Sequence, residues 1–503
     1  MNPVAEGLSA VFDPSVLLLL LVGLVVGTLV GAFPGITGTM AVALASGFTL
    51  TLEPVQGLAV LLTIYVGANY GDRIPSILVN TPGTPAAIAT TLDGYPLAKQ
   101  GRAGLALVTS SLVTTGGILL SMVLFLVAAQ PLARVALQFG PPEMFSLVVF
   151  GLTVMISISS TSLLKGVLAG VVGLVLATVG RDPITGDARF VFSINDLNDG
   201  LPFIAVIIGL FGIAELFDQL LTSHGRQVRP VSSLGRPWPT RAQLRQIAKP
   251  FGVSSAIGMV VGAIPAAGGD IAGLIGWDRA KRMSKRKDEF GKGSLEGLTG
   301  ADTASSATVG GSLTTTMALG IPGDSVMAVM IGSMMVWGLQ PGPSLFTDQP
   351  ELIITIAAIM ILATILSLGI SLVRMKAMVR LLDLPDHYLW AGVLMFCIVG
   401  TYATTNNLYT VWVMLIAGVV GLAMKRTGFP PGPVVLGLLL GPLAEANLRR
   451  TLLIDGPTAL VTNPISAGLL VLAAVSLALP LISRARHGRG DAADAERPRV
   501  EAS

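Results

Sequence analysis

Two kinds of loop, dense in Gly, Pro and small polar residues, interrupt an otherwise apolar chain, and each half of the chain carries its own version of both. The first half reads Gly31-Ala32-Phe33-Pro34-Gly35-Ile36-Thr37-Gly38 and then Asn80-Thr81-Pro82-Gly83-Thr84-Pro85. The second half reads Gly262-Ala263-Ile264-Pro265-Ala266-Ala267-Gly268-Gly269 and then Leu319-Gly320-Ile321-Pro322-Gly323-Asp324-Ser325. Pro265 follows Pro34 by 231 residues, and Pro322 follows Pro82 by 240. Non-helical backbone at membrane depth is tolerated only where it is buried in protein or lines a cavity. A matched pair of such breaks is the best sequence pointer to the binding site of a secondary transporter.

The membrane premise follows from composition. Of 503 residues, 52% are hydrophobic and 12% charged, and mean hydropathy is +0.76; soluble domains carry roughly 25% charge. Candidate apolar segments predict an all-α polytopic membrane protein of about twelve transmembrane helices, the remaining segments being re-entrant or half-helices. The single Cys397 and three His residues exclude a disulfide framework and argue against a His/Cys metal site. Met1 to Pro14 contains no Lys or Arg, so the basic start of a signal peptide is missing, and Val16 to Phe33 reads as a retained membrane segment.

Basic residues set the orientation. Arg226 to Lys249 and Arg279 to Lys292 form two basic loops, and Arg484, Arg486 and Arg489 lie in a polar tail. All three are expected on the cytoplasmic side, with the N-terminus outside. The run at Arg279 to Lys292 has membrane segments on both sides, so it reads as an orientation signal and not as a nucleic-acid patch. Phe251 to Gly276 lies between two loops that both belong inside. A hairpin bent at Pro265 satisfies both, since Pro removes a helix hydrogen bond and Gly permits the turn. Arms of about 12 residues would reach past the midplane. Val16 to Leu50 breaks in the same way at Pro34-Gly35 but has no basic flanks, which fits the same hairpin entered from the opposite side, although two ordinary spans would also fit. The organisation expected is a first membrane half at 1–222, a basic linker at 223–250, a second half at 251–483 and a tail at 484–503, with the halves as inverted repeats.

The breaks supply the candidate site residues. Asn80, Thr81 and Thr84 offer polar groups beside backbone that Pro82 and Pro85 keep out of the helix. The start of a following half-helix suits a carboxylate, and unwound carbonyls suit Na⁺. An ordinary connecting loop is the plain alternative. Asp72 and Arg73 read best as a self-neutralising surface pair. Asp93 reads as a cap on the turn before Gly94. Asp270 and Asp302 read as cation or proton groups or as residues of the cytoplasmic rim. Asp324 reads equally as an intramembrane carboxylate or as an N-cap of the helix at Ser325. The spacings Gly23 to Gly27 and Gly27 to Gly31 are weak helix-packing signals.

In order along residues 15 to 480, the chain resembles the large membrane permease subunit of tripartite tricarboxylate transporters, the TctA type. The resemblance is carried by Pro34-Gly35-Ile36-Thr37-Gly38-Thr39, by Asn80 to Pro85 with Leu92-Asp93-Gly94-Tyr95-Pro96, and by Asp182-Pro183-Ile184-Thr185-Gly186 with Arg189-Phe190. Gly209-Leu210-Phe211 with Glu215, Phe290 to Ser294 with Glu296-Gly297, and Leu319 to Gly323 continue it. Pro341-Gly342-Pro343 and Leu440-Gly441-Pro442 with Glu445 to Arg450 complete it.

The resemblance implies a secondary transporter for carboxylate anions such as citrate, coupled to an ion gradient, often Na⁺. Implied partners are a small TctB-type membrane subunit and a TctC-type periplasmic solute-binding protein, in the bacterial inner membrane. The chain departs from the family pattern at three places. Gly71-Asp72-Arg73 stands where the family tends to have Gly-Gly-Ser. Pro265-Ala266-Ala267-Gly268 stands for Pro-Gly-Ala-Gly, and Asp302-Thr303-Ala304-Ser305-Ser306-Ala307 for Glu-Ala-Ala-Asn-Asn-Ala. These departures put citrate in doubt as the substrate.

The expected function is uptake of an organic carboxylate. The binding residues expected are Pro34, Gly35, Thr37, Thr39, Asn80, Thr81, Pro82, Gly83 and Thr84 from the first half, and Ser305, Ser306, Pro322, Gly323, Asp324 and Ser325 from the second. The coupling cation is expected to be Na⁺ or H⁺, with Asn80, Asp302 and Asp324 as its candidate neighbours. A stand-alone transporter is the alternative. No nucleophile-plus-base constellation supports an enzyme, and nothing suggests the selectivity ring of a channel.

Overall fold

The structure is a computed structural model that describes residues 3–33, 35–159, 162–182, 185–222, 235–265, 267–373 and 386–478. Pro34, Ala266, the first part of the basic linker and the polar tail lie outside the described residues. The described chain is helical apart from one antiparallel pairing of two-residue strands, β1 (Gly180–Arg181) with β2 (Ala188–Arg189). The helices run, in order, α1 (Pro3–Val11), α2 (Pro14–Ala32), α3 (Gly38–Thr49), α4 (Pro54–Gly71), α5 (Arg73–Leu78), α6 (Ile88–Leu97), α7 (Ala103–Ala136), α8 (Pro141–Ser159), α9 (Leu163–Ala177), α10 (Phe203–Ile207) and α11 (Ala214–Thr222). They continue as α12 (Arg241–Gly262), α13 (Gly268–Met283), α14 (Leu295–Leu319), α15 (Ser325–Val336), α16 (Leu345–Asp348) and α17 (Pro350–Val373). Later helices cover Asp386–Thr405, Leu408–Thr427 and Pro431–Ile454.

Local chemistry sets the helix ends. Asp13 accepts from the Ser15 N–H at 2.8 Å ahead of Pro14, which opens α2 with no hydrogen bond lost. Thr37 caps α3, Ser294 caps α14, and Thr240 with Gln243 forms a capping box on α12. Gly320, at φ +69°, closes α14 in the left-handed conformation that favours glycine.

Among the described residues, six helices are long and apolar enough to cross a membrane, about half the number expected. The shortfall has a physical cause in helices such as α14. It has 25 residues, but Ser, Thr and Gly dilute its apolar content, and nearly all of it is buried within the protein. A helix surrounded by protein need not be greasy. The second-half hairpin is also longer than foreseen. α12 takes in residues 241–250 of the expected linker, so its arms have 22 and 16 residues.

The chain forms two compact units, Met1–Gln138 with Leu201–Lys425, and Phe139–Gly200 with Arg426–Ser503. Each draws on both sequence halves. In the second unit, Arg189 meets Glu445 at 2.7 Å and Asp182 at 3.4 Å, while Arg449 meets Asp182 at 2.9 Å and Glu445 at 2.7 Å. This network ties the β1–β2 turn to the helix Pro431–Ile454.

In the first unit, glycines bring helix backbones together, and they do so twice. A Cβ on Gly27 would lie 2.4 Å from the Ile64 carbonyl oxygen, and one on Gly31 would lie 2.5 Å from that of Ala68. In the second half, a Cβ on Gly258 would lie 2.2 Å from the Ala304 carbonyl oxygen, and one on Gly262 would lie 2.3 Å from that of Thr308. Gly258 and Gly262 follow Gly27 and Gly31 by 231 residues, and Ala304 and Thr308 follow Ile64 and Ala68 by 240. The two offsets between the sequence motifs are thus the offsets between two equivalent helix pairs, α2 on α4 and α12 on α14. The weak packing signal at Gly23, Gly27 and Gly31 marks a real interface.

Replacing Gly27 with Leu is expected to cost about 1–3 kcal/mol or more through overpacking. Gly252→Ala, where a Cβ meets nothing within 4 Å, should be neutral or slightly stabilising. Thermal unfolding of the purified protein in detergent, followed by size-exclusion chromatography, measures both.

Candidate functional site

The first non-helical stretch starts where α5 ends. Asn80 sits at φ +58°, in the left-handed region that Asn tolerates. The Thr81 N–H donates to the Pro75 carbonyl at 3.3 Å. Pro82, Gly83 and Thr84 then run back against the α4–α5 junction. A Cβ on Gly83 would lie 2.8 Å from the Gly31 carbonyl oxygen and 3.2 Å from Asp72 Cβ, so the residue must be small. Beside it, the Thr84 hydroxyl donates to Asp72 Oδ2 at 2.5 Å.

The second stretch is built to the same plan. Gly323 lies against Ser312, where a Cβ would come within 2.3 Å of the hydroxyl oxygen, and its N–H donates to Thr316 Oγ1 at 3.2 Å. The Ser312 hydroxyl donates to Asp324 Oδ2 at 3.0 Å. Residues 312 and 324 follow residues 72 and 84 by 240. Each half therefore closes its break with one hydroxyl–carboxylate bond at equivalent positions, but the two groups have exchanged places. In the first half the acid stands at the α4–α5 junction; in the second it stands on the break.

The breaks also meet across the halves. Tyr65, on α4, donates from its hydroxyl to Asp324 Oδ2 at 2.6 Å, and Asp324 Oδ1 caps α15 by accepting from the Met327 N–H at 2.8 Å. Thr39, in the first turn of α3, and Ser325, the first residue of α15, share a hydrogen bond of 2.7 Å between hydroxyls. The starts of two helices thus converge, each with its partial positive charge.

A charged cluster lies on the other side of Asp72. Arg73 is 3% exposed, Asp72 1% and Asp302 0%. Arg73 Nη2 donates to Ser305 Oγ at 3.1 Å and Ser306 Oγ at 3.3 Å; its Nε lies 3.6 Å from Asp302 Oδ1 and its Nη1 3.4 Å from Asp72 Oδ1. Thr90 and Ser110 donate to the two oxygens of Asp302, and Ser306 donates to Thr114 at 3.2 Å.

Several sequence expectations are corrected here. Asp72 and Arg73 are no surface pair. The α4–α5 junction runs inside the protein, and Arg73 meets, besides Asp72, three residues of α14 more than 200 positions away. Asp302 does not lie on a rim. Asp93 does not cap its own turn, because residues 88–97 are helical. Its Oδ1 accepts from the N–H groups of Gly291, Gly293 and Ser294 at 2.8–3.0 Å, and its Oδ2 accepts from the Trp277 indole at 2.7 Å. It anchors the loop that leads into α14. No local signal could have revealed this, since the partners are three backbone amides remote in sequence.

Of the expected site residues, Thr39, Gly83, Thr84, Ser305, Ser306, Gly323, Asp324 and Ser325 take part in these contacts. Pro322 is buried beside them. Thr37 is the cap of α3, accepting from the Met40 N–H at 3.2 Å. Gly35, at φ +89°, leaves room for Gln219. Asn80 is exposed, Thr81 and Pro82 are half-buried, and Asp270 is half-buried in the first turn of α13. Among the described residues, no group of three or more His, Cys, Asp or Glu side chains could hold a metal ion.

The sequence model of the tripartite tricarboxylate transporter TctA family matches residues 17–436. The chain belongs to this family. It is 37% identical over 470 residues to an uncharacterized 52.8 kDa protein in the TAR-I ttuC' 3' region of Agrobacterium vitis, covering 93% of each chain. It is 35% identical over 234 residues to an uncharacterized protein in the TAR-II ttuC' 3' region of the same organism, covering 46% of this chain and 97% of that one. No solved structure matches the chain.

Membership in the TctA family places the protein in a family of membrane transporters. It also gives meaning to the departures noted in the sequence. Arg73, Asp302, Ser305 and Ser306 touch one another, so two of the three departures form one spatial unit. The long guanidinium is accommodated beside a shortened acid and two small hydroxyls.

Replacing Asp93 with Ala leaves three amides and an indole N–H without their acceptor. The expected loss is about 3 kcal/mol or more, at roughly 1–3 kcal/mol for each group left buried and unpaired. Faster proteolytic cutting in residues 286–294 and a lower unfolding temperature would record it; an unchanged cutting rate would contradict the anchoring role.

Proposed function

We propose that this chain is the large permease subunit of a tripartite system that takes up organic di- or tricarboxylate anions across the bacterial inner membrane. A TctC-type periplasmic protein delivers the anion, a TctB-type small subunit completes the membrane part, and an ion gradient drives uptake. One observation carries the reading: the starts of α3 and α15, one from each half, meet through the Thr39–Ser325 hydrogen bond. Two convergent helix N-termini with hydroxyl donors suit a carboxylate, and Arg73 is a buried cation of the same compact unit. Asp324 is already held by its own helix start, by Tyr65 and by Ser312.

In this reading the halves are inverted repeats, with the N-terminus outside and the C-terminus in the cytoplasm. The hydroxyl and carboxylate contacts between the breaks are remade as one repeat moves against the other. Asn80, Thr81 and Pro82 shape the entry to the first break through the left-handed turn at Asn80.

Proteoliposomes holding the chain with its small membrane partner test this. Labelled succinate, malate, tartrate and citrate are offered under imposed ion gradients, with and without the cognate binding protein. Uptake that requires the binding protein is the expected result; uptake without it favours a stand-alone transporter. The double variant Thr39→Val with Ser325→Ala should weaken uptake by roughly 10- to 100-fold, the worth of a lost hydrogen bond to a charged group, while the protein still elutes as a single species. Full uptake by that variant would remove the helix starts from the site.

A further inference from the structure

We propose that Asp72 takes up the coupling proton on its Oδ1 atom, so that the gradient used by this transporter is one of protons. The inference rests on the transport reading above and names its coupling ion.

The argument begins with charge. The cluster holds two carboxylates, Asp72 and Asp302, and one guanidinium, Arg73, and all three are buried. Arg stays protonated in proteins. One negative charge is therefore left over, where water cannot reach it. A buried carboxylate without a counter-charge is costly enough that the group takes a proton instead.

Geometry says which oxygen accepts it. Both oxygens of Asp302 receive hydroxyl protons, from Thr90 and Ser110, and its Oδ1 also faces Arg73 Nε. Asp72 Oδ2 receives the Thr84 proton. Asp72 Oδ1 accepts no hydrogen bond, and Arg73 Nη1, at 3.4 Å, makes none either. Asp72 Oδ1 is the open position in the cluster.

The neighbour of Asp72 in sequence is Arg73. On α4, Tyr70 is bonded to Thr115 and Thr364; on α6, Asp93 is held by three amides and the Trp277 indole; and Asp270 of α13, next to Gly269 against Ser305, is half-buried. α14 contributes Asp302, Ser305 and Ser306. The break contributes Thr84. α2, packed on the same junction through Gly31, has no titratable residue. α7 contributes Ser110 and Thr114, and its one titratable residue, Arg134, lies 24 positions beyond Ser110.

The duplicated half is an internal comparison. There the bracket carboxylate, Asp324, has both oxygens filled, by the Met327 N–H on one side and by Tyr65 and Ser312 on the other. The same bracket thus exists once saturated and once with an oxygen free.

The step is a single protonation. A proton from one side of the membrane binds Asp72 Oδ1, and the carboxylate becomes a neutral acid. Arg73 is then balanced by Asp302 alone and is held by Ser305 and Ser306 on α14. When the proton leaves toward the other side, Asp72 regains its charge and competes for Arg73. Proton occupancy thereby sets how tightly the first-half junction is tied to α14.

Two measurements decide the matter. Infrared difference spectra of the purified protein through a pH titration should show the C=O stretch of a protonated buried carboxyl. That band should vanish in Asp72→Asn, shift in Asp72→Glu and persist in Asp324→Asn. Its persistence in Asp72→Asn, or its absence from the unmodified protein, would overturn the proposal. If Asp72→Asn does not fold, the Asp72→Glu shift decides alone.

In proteoliposomes of the full complex without Na⁺, a pH gradient should drive accumulation of the panel carboxylate that the complex moves. Asp72→Asn should lose that accumulation and Asp72→Glu restore it. Accumulation driven by Na⁺ and indifferent to the pH gradient would overturn the proposal. If no panel carboxylate moves, the transport reading fails instead, and the infrared result still decides whether Asp72 holds a proton.

Discussion

Backbone that leaves the helix inside a membrane protein has no water to complete its hydrogen bonds, so each break must be closed by the protein itself. The first unit is organised around that requirement. Gly83 and Gly323 let each break lie directly on the helix before it, and the hydroxyl–carboxylate bonds Thr84–Asp72 and Ser312–Asp324 fasten it there. The glycines at 27, 31, 258 and 262 bring the neighbouring helices to backbone contact, so that the breaks share one interior with α14. Removing bulk at these positions is what makes room for polar groups at depth.

Much of this was legible in the chain. The two offsets, 231 and 240, were visible as motif spacings, and they reappear as the spacings between equivalent contacts. A repeated motif is readable because glycine and proline have few structural uses, and because the same pair of uses twice over leaves few folds open. The helix-starting role of Asp324 and the small-residue packing of α2 were also written locally, since caps and close helix approaches depend on residues a few positions apart.

What escaped was whatever depends on a partner far along the chain. Asp72 and Arg73 looked like a surface pair because adjacent opposite charges usually are, and only the placement of Ser305 and Ser306 against them shows otherwise. Asp93 is satisfied by backbone amides, which carry no sequence signature at all. The length of α12 was misjudged because its first ten residues are basic and polar; a helix that starts in water can enter the protein without a compositional boundary at the point of entry.

The duplicated brackets also show how two halves of one architecture can come to differ in chemistry while keeping their contacts. A bond from hydroxyl to carboxylate joins the break to the helix whichever side bears the charge, and both 72/84 and 312/324 make it. The exchange is not neutral for electrostatics. On the break, the acid accepts from the Met327 N–H at the start of α15 and from the Tyr65 hydroxyl. At the α4–α5 junction the acid precedes α5 but its side chain accepts no N–H from that helix; its neighbour in sequence is a guanidinium that Asp302 also approaches. One half therefore carries an acid with both oxygens hydrogen-bonded and the other an acid with one oxygen free. Two carboxylates competing for one buried cation form an arrangement whose balance a single proton can tip, and only the half with its acid at the α4–α5 junction contains it.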